Sequence, residues 1–162
     1  MRLQLTTTEK AICQYIGEMR HHVTSKQGTE RRQDASLDAL QMSVDGVITE
    51  YAVAKALNLF FDFNCDFRKF GADLIGKNGS TIDVKSTRKP GGNLNAVQWS
   101  SGKPADYFVL TEIMPFDILI AGWIRRDDFL CEANLKDRGN GLFYSVDRSQ
   151  LEPFNVKYKE NT

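Results

Sequence analysis

The apolar positions fall into two regimes along the chain. Up to about residue 59 they recur at helical spacing. Ala11, Ile12, Tyr15, Ile16 and Met19 form one stripe behind Thr7 or Thr8, either of which can cap a helix running to Met19 or beyond. Residues 25–36 are polar and read as a loop, and Leu37, Leu40 and Met42 predict a short helical piece. Ser43 then caps a second helix, with Asp45 in its first turn, where the helix dipole favours an anion. Val44, Val47, Ile48, Tyr51 and Ala54 share one face of it.

Beyond residue 59 the period drops to two. Residues 60–67 alternate apolar and polar as a strand would, and residues 72–76 and 80–87 predict two more strands around Lys77-Asn78-Gly79. A Gly-rich, basic loop follows over residues 88–103. Residues 107–114 and 118–124 are apolar, β-rich runs suited to the interior of a sheet. Residues 127–134 predict a helix, residues 142–146 a last strand, and a tail begins at Pro153. Helices first and strands afterwards indicate an α+β fold, or α/β with a mixed central sheet flanked by helices. We expect one domain over residues 1–162: a helical extension (1–42), a core (43–152) and the tail (153–162).

Composition narrows the function classes. Hydrophobic residues make up 41% and charged residues 26%, enough apolar content for a globular core. Lys plus Arg equals Asp plus Glu at 21 each, so any nucleic-acid contact must come from local basic patches. Cys13, Cys65 and Cys131 make no CxxC pair and no even disulfide set, and read as buried free thiols in a reducing compartment. The N-terminus lacks a signal-like apolar run, and the apolar stretch 116–124 carries Asp117 and is too short for a bilayer, so the expectation is a cytoplasmic protein without a membrane partner.

The chemistry concentrates in the 72–87 hairpin. Asn78-Gly79 usually signals a two-residue turn, which would send Asp73 and Asp83 to opposite faces. A three-residue loop with Gly79 in the left-handed conformation instead pairs Leu74 with Ile82 and Asp73 with Asp83. That register sorts Asp73, Ile75, Thr81, Asp83, Lys85 and Thr87 from Leu74, Ile82, Val84 and Ser86, and it is the one we prefer because it separates polar from apolar. Carboxylates directly opposed across strands, with β-carbons about 4.5–5.5 Å apart, destabilise the sheet unless a shared proton, a lysine or a divalent cation offsets them. Lys85 lies on the same face. The alternative is a surface hairpin that happens to carry these charges. Glu50 adds an independent acid: it borders the apolar stripe of the second helix, and its i+4 neighbour is Ala54, so no helix-surface ion pair accounts for it.

The order Glu50 on a helix, Asp73 on a strand, then Ile82-Asp83-Val84-Lys85 on the next strand resembles the PD-(D/E)XK nuclease superfamily. The Gly46-x-x-x-Glu50-x-x-x-Ala54 helix and the strand Ala105-Asp106-Tyr107-Phe108-Val109-Leu110 are similar to phage and archaeal members, including Holliday-junction resolvases. The resemblance covers residues 43–125. It implies a restriction-endonuclease-like core and a metal-dependent endonuclease hydrolysing DNA, with Mg2+ as cofactor and Mn2+ able to substitute. Asp73, Asp83 and the Val84 carbonyl would bind the metal. Glu50 would orient the attacking water or complete the metal shell, and Lys85 would position or activate that water. Ala72 replaces the motif's proline, and Asp83 stands where glutamate is more frequent. Cutting both strands together would need two active sites, so a homodimer fits this reading.

Arg88, Lys89 and Lys103 flank the Gly-rich loop as candidate phosphate ligands, with Arg31 and Arg32 further candidates. Gly91 and Gly92 read either as letting that loop close on a substrate or as simply making it mobile. Residues 76–81 imitate a phosphate loop, but the lysine precedes the second glycine, so no nucleotide cofactor is expected. Two rival readings are a catalytically inactive nucleic-acid- or protein-binding module on the same fold, and a small α+β interaction protein whose acids are surface charge.

Overall fold

In a computed structural model, residues 1–26, 38–66, 71–98, 102, 104–137, 139 and 141–154 are described. The fold is α+β. A five-stranded mixed sheet has the order β1 (Arg2–Leu3), β6 (Ile118–Arg125), β5 (Tyr107–Ile113), β3 (Thr81–Thr87), β2 (Leu74–Ile75). β3 and β5 are parallel and the other neighbours antiparallel. A second sheet of β4 (Leu94–Val97), β8 (Leu142–Val146) and β7 (Leu135–Asp137) is antiparallel throughout.

Two long helices, α1 (Thr7–Lys26) and α2 (Ala39–Leu57), cover one face of the large sheet. Cys13 and Ile16 of α1 and Val47, Val53 and Ala54 of α2 share a core with Leu74, Ile82, Val84, Val109 and Ile120. The other face carries Phe108, Leu110 and Ile124 into a second core with Leu94, Ala96 and Val146 of the small sheet and Phe129 of the one-turn helix α3 (Arg126–Phe129). β5 is therefore buried on both sides, as its continuous apolar run requires. No helix among the described residues is long and apolar enough to cross a membrane.

The helices differ from the sequence expectation at their ends. α1 starts from a capping box formed by Thr6, not Thr7 or Thr8: the Thr6 N–H donates to Glu9 Oε2 at 2.7 Å and the Glu9 N–H to Thr6 Oγ1 at 3.2 Å. α2 is one continuous helix from residue 39. Asp38 caps it by accepting the Leu40 N–H at 3.0 Å, so Ser43 and Asp45 lie inside the helix and not at its start. It ends at Asn58, whose φ of 52° lets its N–H and that of Leu59 close on the last carbonyls. Residues 60–66 form no strand. The basic loop contains β4, and the predicted helix at 127–134 breaks into α3 and a 3-10 turn, Glu132–Asn134. Of the three free thiols only Cys13 is buried, and burial, with the charges of Glu9 and Glu50, pushes it up to about 11.

Glu9 also joins the two helices. Its carboxylate takes Lys55 Nζ at 2.7 Å and the Tyr51 hydroxyl at 3.1 Å. The Lys55 ammonium, with the Thr6 and Tyr51 bonds, holds the Glu9 carboxyl down at about 2, against an ordinary value of 4.5. A lowered carboxylate contributes stability that is present above the unfolded value and lost as pH falls toward the folded one. We expect the urea midpoint of the protein to fall between about pH 4.5 and 2, and Glu9→Gln to flatten that dependence. Where the helices cross, a β-carbon at Gly17 would lie 2.6 Å from Val44 Cα, so only glycine permits the approach. Gly17→Ala should destabilise by about 1–3 kcal/mol in urea unfolding, the usual cost of overpacking.

Candidate active site around Val84

The β2–β3 hairpin has the odd loop. Leu74 pairs with Ile82 and Ile75 with Thr81, the Gly76 N–H donates to the Ser80 carbonyl at 2.7 Å, and Gly79 has φ +82°. Ile82 and Val84 join the helical core, so Asp83 and Lys85, one residue out of phase, leave β3 on the opposite face. Their register partners there are Phe108 and Leu110. The start of β3 is fixed by Asp106, whose Oδ2 accepts both the N–H (2.7 Å) and the hydroxyl (2.9 Å) of Thr81. These bonds hold the Asp106 carboxyl below the usual range.

At Asp73 the ladder departs from the straight register. Its N–H donates to the Ile82 carbonyl at 3.0 Å, so Asp73 and Leu74 both bear on Ile82 as in a β-bulge, and the carboxylate swings to accept the Val84 N–H at 2.7 Å. Asp73 thus does not simply face Asp83 across the hairpin. A strand's N–H and C=O groups alternate edges, so the Val84 carbonyl points to the same edge as its N–H, beside the Asp73 carboxylate. Asp83 is fully buried and ion-paired with Lys85, whose side chain is 24% exposed. Of the three ways to offset the hairpin's acids, the structure shows the lysine.

Glu50 has a partner that helix spacing could not reveal. Its Oε2 takes Arg20 Nη1 at 2.9 Å, from α1. The same guanidinium donates to the carbonyls of Asp62 (2.7 Å) and Asn64 (3.2 Å) and lies over the Phe61 ring. Glu50 stands on α2 between the core residues Val47 and Ala54, on the helical side of the sheet. Asp83 and Lys85 project to the other side. Among the described residues, no three His, Cys, Asp or Glu side chains are grouped to hold a metal.

Arg88 donates to Asp45 through Nε (2.6 Å) and Nη2 (2.7 Å), and this pairing raises its already high pKa. Lys89 is exposed. Arg31, Arg32 and Lys103 lie outside the described residues. At Gly91 the Gly-rich loop is tied down: its N–H donates to Glu112 Oε2 at 3.2 Å, and Arg148 pairs with the same oxygen at 2.5 Å. Glu112 is buried, and Arg148 holds its carboxyl below the usual range. The sequence reading took Asp45 only as a first-turn anion and did not single out Glu112, because their partners lie 43 and 36 residues away.

The donors around Val84 suit a hard cation. Two carboxylates and a backbone carbonyl are all oxygens, and magnesium takes one or two carboxylates while keeping several waters. Asp73, Asp83 and the Val84 carbonyl are the oxygens such a metal would draw on, without Glu50.

Removing the Asp73 carboxylate should free the Val84 amide. Hydrogen exchange at Val84 is expected to accelerate about tenfold or more in Asp73→Ala, as loss of a charge-assisted bond implies, and much less in Asp73→Asn, which keeps an acceptor. Searches of protein-family models and of curated proteins found no match to this chain.

Proposed function

We propose that this chain is a magnesium-dependent endonuclease of the PD-(D/E)XK type, hydrolysing DNA phosphodiester bonds on a restriction-endonuclease-like core, in a cytoplasmic setting (the host's, if the chain is viral). The observation that carries this reading is the assembly at Val84. The Asp73 carboxylate holds its N–H, and the buried Asp83–Lys85 pair flanks it in β3. An acid just before β2 and an acid-x-lysine in β3 are the donor set that such chemistry needs.

Asp73, Asp83 and the Val84 carbonyl would hold Mg2+, with Mn2+ able to substitute. When bound, the cation would polarise the scissile phosphate and lower the pKa of water. Asp73, restrained by the Val84 N–H, would supply one carboxylate of the site. Lys85 pairs with the buried Asp83 and, at 24% exposure, would be placed to reach a phosphate oxygen. Glu50, on its present partner, is an oriented acid held by Arg20, and its role would be to align water from the helical side. DNA is the partner, and a homodimer would allow both strands to be cut.

A second reading, a catalytically inactive nucleic-acid- or protein-binding module on the same fold, is favoured by the Glu50–Arg20 pair, which neutralises the helix acid. One experiment separates the two: cleavage of plasmid, linear and branched DNA in Mg2+, with EDTA as control. Wild type should cut, and Asp83→Asn and Lys85→Ala should each lose about a hundredfold or more while keeping a folded circular dichroism spectrum. Equal activity in both variants and wild type would rule out the assignment. No cutting by wild type would favour the inactive module.

A further inference from the structure

Arg88 follows Lys85 by three positions, at the exit of β3, and Asp45 precedes Glu50 by five in α2. Asp45 is 4% exposed, in a helix whose other buried positions are mostly small or apolar. Its Oδ2 receives Arg88 Nε, and its Oδ1 receives both Arg88 Nη2 and Gln41 Nε2, the last at 2.7 Å. Three donors on one buried carboxylate, two of them from a planar fork, fix orientation as well as distance.

We propose that Arg88 is a positioning residue, which with Asp45 and Gln41 bolts α2 to the end of β3 and so sets the helix that carries Glu50 against the strand that carries Asp83 and Lys85. Beside it, Val47, Val53 and Ala54 of α2 share an apolar core with Ile82 and Val84 of β3. Apolar packing fixes the separation of a helix from a sheet but resists sliding along it only weakly, because dispersion is not directional. A two-point ion pair at one end resists that sliding. The Gly91–Glu112–Arg148 bonds hold the following loop in the same way, so the segment after Lys85 is anchored twice. On this proposal Arg88 holds Asp45 where the sequence suggested a phosphate ligand. The catalytic consequence rests on the nuclease reading; the bolt itself does not.

The test uses the full chain and two measurements. A cycle of wild type, Asp45→Asn, Arg88→Gln and the double variant is followed by urea unfolding. The double variant should unfold less readily than the two single effects combined predict, by at least about threefold in the unfolding constant. Additive effects overturn the bolt. In cleavage assays Arg88→Lys, which keeps the charge but not the fork, should lower kcat about tenfold and leave KM and the salt dependence of DNA binding as in wild type. Raised KM in Arg88→Gln with rescue by Arg88→Lys, and a salt slope reduced by about one, identifies a phosphate ligand and overturns the proposal. Should wild type cut no DNA, the nuclease reading fails, and the backbone amide spectrum of Arg88→Lys decides instead. Shifts at both Glu50 and Val84–Lys85 support the bolt, and shifts confined to residues beside Arg88 refute it.

Discussion

The parallel pairing of β3 with β5 decides where every side chain of β3 must go. Asp106, at the start of β5, takes the N–H and hydroxyl of Thr81 and so locks the two strands in register from their first residues. Once Ile82 and Val84 lie beside Tyr107 and Val109, they can only join the helical core, and Asp83 and Lys85 must enter the space toward the small sheet. A slip of one residue would bury both charges under α1 and α2 and expel two aliphatic side chains. The short β2 then leaves the outer edge of β3 open beyond Leu74, and the Asp73 carboxylate substitutes for strand backbone there. The candidate site is a consequence of this pairing and of an edge strand that stops early.

Burying that many charges is tolerable because each is answered. Asp83 has Lys85, Asp45 has Arg88, Glu112 has Arg148 and Glu50 has Arg20. Isolated buried ions cost several kcal/mol, roughly, and well-placed pairs recover most of it without adding much net stability. Their effect is to make the arrangement specific. The last three pairs join elements that are distant in sequence, which links the two helices to each other, the helical layer to β3, and β5 to the segment after β8.

The hairpin register was legible because it had a local cause. Only the odd loop lets Gly79 take its positive φ and still sort Leu74, Ile82 and Val84 from Asp83 and Lys85. The buried strands at 107–113 and 118–125 and the two long helices were legible through period alone. Over residues 60–66 the expected strand does not form, because the carbonyls of Asp62 and Asn64 are taken by Arg20 and the segment follows that guanidinium. Its alternation of apolar residues reflects Phe61 packing inward while Phe60 and Phe63 remain exposed. Ser43 as a helix start failed for a similar reason: Asp38 offers an earlier cap, and nothing between 39 and 43 breaks a helix.

The odd-loop register that pairs Leu74 with Ile82 and the α+β class were legible in the sequence itself, since period and turn chemistry are local quantities. Tertiary structure decided everything that depends on a distant partner. It turned Arg88 from a phosphate candidate into the ligand of Asp45, gave Glu50 its Arg20, and swung Asp73 off its direct opposition to Asp83 onto the Val84 N–H. Charges act through space and choose the nearest satisfied geometry, and no spacing along a single chain encodes which helix or strand will supply it.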